Sequence, residues 1–289
     1  MKKNFATIFT LVLTLTLTSN FIFARSISSG APNRIVCLAP NGAEILYALG
    51  CGSNIIARTD FCNYPEQLLM VPSVGGFDGK SFSIETILSY NPDFIYLVDG
   101  MHNHLENQLQ AFGIRYYFSK ATCIEDIFTE IETIGKIMNQ EKQAKKVVNE
   151  LKSELDRISA KNKKNDKKNL SSPKIYCEIF SSPYMSIGRS SFINDVIEHS
   201  GGKNIFCDIE QSYPQVSEEA IIVKNPDIII VPYYSTLQID AMYKRNGWES
   251  ISAIKNRKIY PIDEDIISRP GPRIIEGIKL VQYIIGEIK

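Results

Sequence analysis

Two runs of uninterrupted apolar residues, Phe94 to Val98 and Ile228 to Val231, sit at the ends of a longer repeated stretch. Ser83 to Leu97 aligns without a gap on Ser217 to Val231. Each copy reads as one unit: a Ser N-cap, carboxylates in the first turn, a short helix, an Asn-Pro stop and an apolar strand. A looser match pairs Gly50 to Ile56 with Ser200 to Phe206, and both follow helical patterns, Ala43 to Leu49 and Phe192 to Glu198. Strands that are apolar on both faces suit a parallel sheet covered by helices on each side. Their alternation with helices predicts an α/β unit in each half of the chain.

Between the halves, Gln140 to Lys163 keeps Ala144, Val147, Val148, Leu151, Leu155 and Ile158 on one face at helical spacing, with charge opposite. A helix of that length spans about 36 Å, enough to run along both halves as a stiff backbone. The basic run Lys161 to Lys168 is Asn-rich and lacks aromatics, which reads as a solvated linker. The expected fold is therefore α/β, with two Rossmann-like lobes of mainly parallel strands joined by one long backbone helix around a cleft. Its boundaries are an N-terminal lobe at 33–138, the linking helix and polar linker at 139–168 and a C-terminal lobe at 172–289. Ligands of open parallel sheets bind beyond the carboxyl ends of the strands, so two facing lobes place two such rims around one groove.

Residues 1–24 have the layout of a secretory signal: Met1-Lys2-Lys3, an apolar stretch from Phe5 to Phe23, and a small residue at Ala24. An uncleaved membrane anchor would need a longer run, less diluted by Thr. The first cysteine is Cys37, too far on for a lipid anchor, so the mature chain is expected free in a periplasm. About 265 of 289 residues then remain, comfortable for two lobes. Lys plus Arg and Asp plus Glu both number 32, which argues against nucleic acid or an acidic polymer as partner. The six cysteines include no CxxC pair; Cys37 and Cys177 fall in apolar runs that suit buried thiols, and Cys51 with Cys62 is the one pairing entertained.

Arg34 to Gly50 (RIVCLAPNGAEILYALG), Asp60 to Pro65 (DFCNYP), Val74 to Phe77 (VGGF), the two Asn-Pro-Asp units and Ser268 to Ile274 (SRPGPRI) resemble, in order and spacing, the Fe/B12 family of periplasmic binding proteins. The resemblance implies no intrinsic cofactor and capture of cobalamin or another corrinoid, haem or a ferric siderophore. It further implies a monomer that delivers its ligand to the permease dimer of an ABC importer. One acidic residue per lobe docks on the permease in that family, and the matching positions are Glu85 and Glu219. The layout of DFCNYP, SYPQVSEE and the Asp265-to-Arg269 spacing is nearest to the corrinoid-binding branch. It implies a ligand cleft with Tyr64, Phe77, Tyr213, Asp265 and Arg269, the aromatic faces stacking on a flat ligand and Arg269 pairing with a polar edge. Phe77, Val98 and Tyr213 stand where that branch carries cleft tryptophans.

His102-Asn103-His104 follows the strand ending near Val98, so both histidines are candidates for contact with a ligand metal at the cleft rim. His199 and the sole Trp248 read as structural. No catalytic constellation is present: GGFDGKS has Val74 where a phosphate loop needs its first Gly, and GxSxG, GxGxxG and HExxH are missing. The expectation is a binding protein and not an enzyme. The alternative, capture of a bare divalent metal, would need a His and carboxylate set drawn from both lobes, whereas two of the three histidines lie in one half and one in the other.

Overall fold

The computed structural model describes residues 30–76, 83–166, 172–232 and 236–287. The expected signal sequence, Phe77 and the end of the polar linker lie outside them. The first half runs β1 (Ile35–Cys37), α1 (Pro40–Ala48), β2 (Ile55–Arg58), α2 (Ile84–Ser89), β3 (Phe94–Val98), α3 (Glu106–Ala111), β4 (Arg115–Ser119) and α4 (Ile124–Ile137). Its strands form a wholly parallel sheet in the order β2-β1-β3-β4. After α5 (Glu141–Asp166) come β5 (Lys174–Cys177), a two-stranded hairpin of β6 (Phe180–Ser181) and β7 (Tyr184–Met185), α6 (Phe192–His199) and β8 (Lys203–Asn204). The chain closes with α7 (Glu218–Lys224), β9 (Ile228–Val231), α8 (Thr236–Met242), α9 (Ser252–Lys255), β10 (Ile259–Pro261), α10 (Glu264–Ile267) and α11 (Ile274–Gly286). The second sheet, β10-β9-β5-β8, is also parallel.

The sequence repeat has a structural cause. Ser83 and Ser217 each accept a hydrogen bond from a backbone N–H three residues on, at 3.1 Å, capping α2 and α7. Asn91 and Asn225 leave those helices in the left-handed region, φ 52° and 45°, which Asn tolerates better than other side chains. The Asp that follows then ties its strand to the neighbour in the sheet. Asp93 accepts from the Asn33 and Arg34 amides at 3.0 Å, and Asp227 from the Lys174 amide at 2.8 Å.

Helix α5 starts against the first half, where Gln143 donates to the Ala48 carbonyl, and ends against the second, where Asn162 donates to the His199 carbonyl and accepts from Gln282. Its face carries Ala144, Val147, Val148 and Ile158 buried, and Leu151 and Leu155 half-buried. At 26 residues it is about 39 Å long and ends at Asp166, three residues past the expected end at Lys163 and well inside the basic stretch expected to be linker. The bonds at Asn162 explain the extension, because they hold the last turns on the second half. Trp248 is fully buried in the second half, its Nε1 donating to Glu218 at 2.7 Å.

All six cysteines are free. Cys62 lies against Thr59 and the Cys37 carbonyl, at 3.2 and 3.5 Å, so the expected neighbour Cys51 is replaced by Cys37. The loop after β2 folds back over β1, which sequence spacing does not reveal. Among the described residues no helix is long and apolar enough to cross a membrane.

Candidate functional site

A cavity of about 590 Å³ opens between the two sheets. Its walls follow the strand rule closely. From the first half come Pro40 and Asn41 after β1, Phe61 after β2, Val98, Asp99 and Met101 at the end of β3, and Ser119 to Thr122 at the end of β4. The second half contributes Tyr213 and, past β10, Glu264, Asp265, Ser268, Arg269 and Pro270. Parallel strands that point their carboxyl ends at each other line the space between them with the last strand residues and the loops and helix starts that follow.

A buried polar network holds the floor on the first half. Asn41 donates to Ser119 at 2.8 Å and to Glu130 at 3.2 Å, Ser119 donates to Glu130 at 3.0 Å, and the Tyr96 hydroxyl donates to the same carboxylate. Burial pushes the Glu130 carboxyl up, while the bonds from Tyr96 and Ser119 hold it down. Gly42 completes this floor, because a Cβ there would lie 2.4 Å from the Tyr96 ring.

The two halves are pinned together beside the cavity. Arg269, only 8% exposed, pairs with Asp265 of α10, donates to Asn63 at 2.8 Å and the Phe61 carbonyl at 3.0 Å, and lies 3.6 Å from Glu44 of α1. Asn63 returns a bond to Asp265 at 2.9 Å. Arg273 stands 3.4 Å from Glu44 and covers the Tyr64 ring at 3.9 Å from its centroid. Cation–π contact of this kind adds attraction across the seam.

Glu44 is the exception in this cluster. One of its oxygens, Oε2, is buried without a hydrogen-bond partner. Arg269 is shared with Asp265, Asn63 and a carbonyl, and Arg273 reaches only the other oxygen, so burial outweighs both arginines and pushes the carboxyl up to about 7. A carboxyl with a raised pKa binds its proton more tightly when folded. Its contribution to stability is therefore fully present below the ordinary carboxylate range and is lost as pH climbs through the folded value. Urea unfolding is expected to show stability falling from pH 5 to 7, this group supplying up to about 3 kcal/mol, and Glu44→Gln should flatten that slope. An unchanged slope in the variant would place the titration elsewhere.

Of the residues expected in the cleft, Tyr213, Asp265 and Arg269 line it and Phe77 lies outside the described residues. Tyr64 does not: it is stacked under Arg273 at the seam between the halves. Arg269 lines the cavity while its guanidinium also fastens that seam. His102 is fully buried and outside the cavity lining, its Nδ1 accepting from the Val98 amide at 3.1 Å, so it closes the turn after β3. His104 is exposed on the following turn and outside the cavity lining. Sequence reading missed Asn41, Phe61, Asp99, Met101, Lys120 and Glu264. A strict count of the first residues past each strand would have found Asp99 and Lys120, whereas Phe61 and Glu264 depend on loop paths that leave no pattern.

Glu85 and Glu219 are exposed at the N-termini of α2 and α7, away from the cavity. The α2 amide and the Ser83 hydroxyl hold the Glu85 carboxyl below its usual range.

A profile of the periplasmic binding protein family matches residues 35–266. The chain is 30% identical over 253 residues to an uncharacterized ABC transporter substrate-binding lipoprotein of Bacillus subtilis, covering 86% of this chain and 78% of that one. It is 27% identical over 262 residues to the vitamin B12-binding protein of Vibrio vulnificus, covering 90% and 92%. The crystal structure of a possible iron-binding, periplasmic solute-binding protein from Staphylococcus epidermidis superposes with a TM-score of 0.78 at 30% identity, covering 88% of this chain and 98% of that one. Strand order, cleft position and these likenesses agree, and the chain belongs to the periplasmic binding protein family.

Proposed function

We propose that this chain captures a large metal-bearing chelate between its lobes and hands it to an ABC permease, with a corrinoid as the first expectation and haem or a ferric siderophore as the others. The observation that carries the reading is the cavity between the strand ends, walled largely by Phe61, Val98, Met101, Ala121, Tyr213 and Pro270, which suits a broad apolar ring. The likeness to a vitamin B12-binding protein supports the corrinoid. The role is binding and delivery, not catalysis. The mature protein acts as a monomer, free in the periplasm after cleavage near Ala24, with Glu85 and Glu219 as the permease contacts and no nucleic acid involved. The bare-metal alternative finds less support: among the described residues no group of three or more His, Cys, Asp and Glu side chains could hold an ion.

Mixing the purified protein with cyanocobalamin, haemin, a ferric siderophore or zinc, followed by gel filtration, tests this directly. One of the coloured chelates is expected to co-elute at one per chain and to change Trp and Tyr fluorescence. Retention of zinc alone, or of none of the four, would remove the reading.

A further inference from the structure

The charged groups of the cavity follow a pattern that the chelate reading does not require. Five charged side chains line it: Asp99, Lys120, Glu264, Asp265 and Arg269. Arg269 spends its guanidinium on Asp265, Asn63, the Phe61 carbonyl and Glu44. Lys120 leans on Asp99 at 3.9 Å, and Asp99 also accepts from Asn103 at 3.1 Å. Glu264 has no cation within 4.0 Å among the described residues. Matching each cation to its carboxylate leaves one negative charge over, at Glu264.

Apart from the Tyr213 hydroxyl, the neutral side-chain donors are committed too. Asn41 gives its amide hydrogens to Ser119 and Glu130, Ser119 donates to Glu130, Thr122 to Asp126, and Ser268 to the Glu264 carbonyl at the start of α10. Besides the Tyr213 hydroxyl and the Lys120 ammonium, what the polar part of the wall presents to a guest is thus carboxylate oxygen. Carboxylates accept hydrogen bonds and repel anions, and like charges brought together in a closed cleft are costly. In agreement, burial raises the Glu264 carboxyl first, with Asp265 and Asp263 pushing in the same direction against Arg269.

We infer that the cleft selects chelates whose rim carries amide N–H donors or positive charge over chelates whose rim carries carboxylates. The inference rests on the chelate reading above and sharpens it, placing Glu264 as the residue that sets specificity. Glu264 discriminates by refusing acid groups and by accepting amide hydrogens, so its removal changes the ratio between ligands more than it changes binding to any one of them. Asp99 acts beside it by occupying Lys120. With Asp99 neutral, that ammonium becomes available to an acidic rim.

Matched pairs that differ only at the rim test this. Cyanocobalamin is compared with a monocarboxylic derivative in which one side-chain amide is hydrolysed, and haem with its dimethyl ester, each titrated into the wild-type protein at low and moderate salt. In whichever scaffold is held, the amide or ester member is expected to bind roughly five- to tenfold more tightly at low salt, the ratio shrinking as salt rises. Glu264→Gln should bring the ratio towards one, and Asp99→Asn should strengthen the acid member selectively. Equal or tighter binding of the acid member by the wild type would overturn the inference while leaving chelate capture intact. A ratio that Glu264→Gln leaves unchanged would overturn the role of Glu264. Retention of neither scaffold in either form would overturn the selection, and if the ferric siderophore is not retained either, the chelate reading falls with it.

Discussion

Cellular uptake is expected to fall to background when Glu85 and Glu219 are both replaced by Ala, while the purified protein keeps its affinity for the chelate. Both carboxylates are exposed, follow a Ser N-cap and occupy the first turn of the corresponding helix of each half. Neither lines the cavity, so neither replacement touches the guest. A permease made of two like subunits can grip two such carboxylates with arginines, because charge-assisted and often bidentate pairs fix orientation as well as supplying attraction. One pair alone holds the complex without fixing its tilt. Single replacements should therefore cost less than the double, and wild-type association should tighten at low salt. The helices themselves should survive, since an exposed carboxylate near a helix N-terminus makes only a small, solvent-screened contribution. Normal uptake by the double variant, or loss of ligand affinity in step with uptake, would leave these residues as helix-end electrostatics alone.

Replacing Arg269 by Ala is expected to cost about 3 kcal/mol of stability and to weaken ligand binding together with it. The side chain touches Asp265 and Glu44 from opposite halves and holds the loop of Phe61 and Asn63 against α10. Removing it leaves Glu44, already short of one hydrogen bond, buried with only Arg273 nearby. Much of the loss is then the cost of an uncompensated buried charge, so Glu44→Gln in the Ala variant should recover part of it. Lys at 269 should rescue poorly, because an ammonium cannot reproduce the planar fork that serves Asp265, Asn63 and a carbonyl at once. Urea midpoints of the two single variants and the double one measure this. A loss near or below about 1 kcal/mol, the level of an exposed ion pair, would show that the cluster decorates the seam without holding it.

Much of the architecture is written locally. The Ser caps, the left-handed Asn stops and the all-apolar strands are each decided by a few consecutive residues, and they recur in both halves, so the repeat was legible without coordinates. The apolar face of α5 likewise follows from helical spacing, and only its end shifted, by three residues, because bonds at Asn162 to the second half outlast the change in composition. Strand β4 was not expected. Its residues are mostly half-buried at the edge of the sheet, so they carry neither a continuous apolar run nor clean alternation.

The site was less legible, for a reason that Arg269 and His102 make plain. An arginine two residues before Gly271-Pro272 and a histidine just past a strand look alike whether they serve a guest or the fold, since residue type and position specify what a side chain can do and not what lies within its reach. Arg269 is claimed by residues more than 200 positions away, and His102 by the amide of Val98 four residues back. By itself the sequence determined the two α/β halves, their caps and stops, the connecting helix and the first-turn positions of Glu85 and Glu219, all consequences of short-range backbone and periodicity rules. Only the tertiary structure decided which side chains face the cavity, which are spent holding the halves together and which carboxylate is left unmatched, because those outcomes depend on distances between segments remote along the chain.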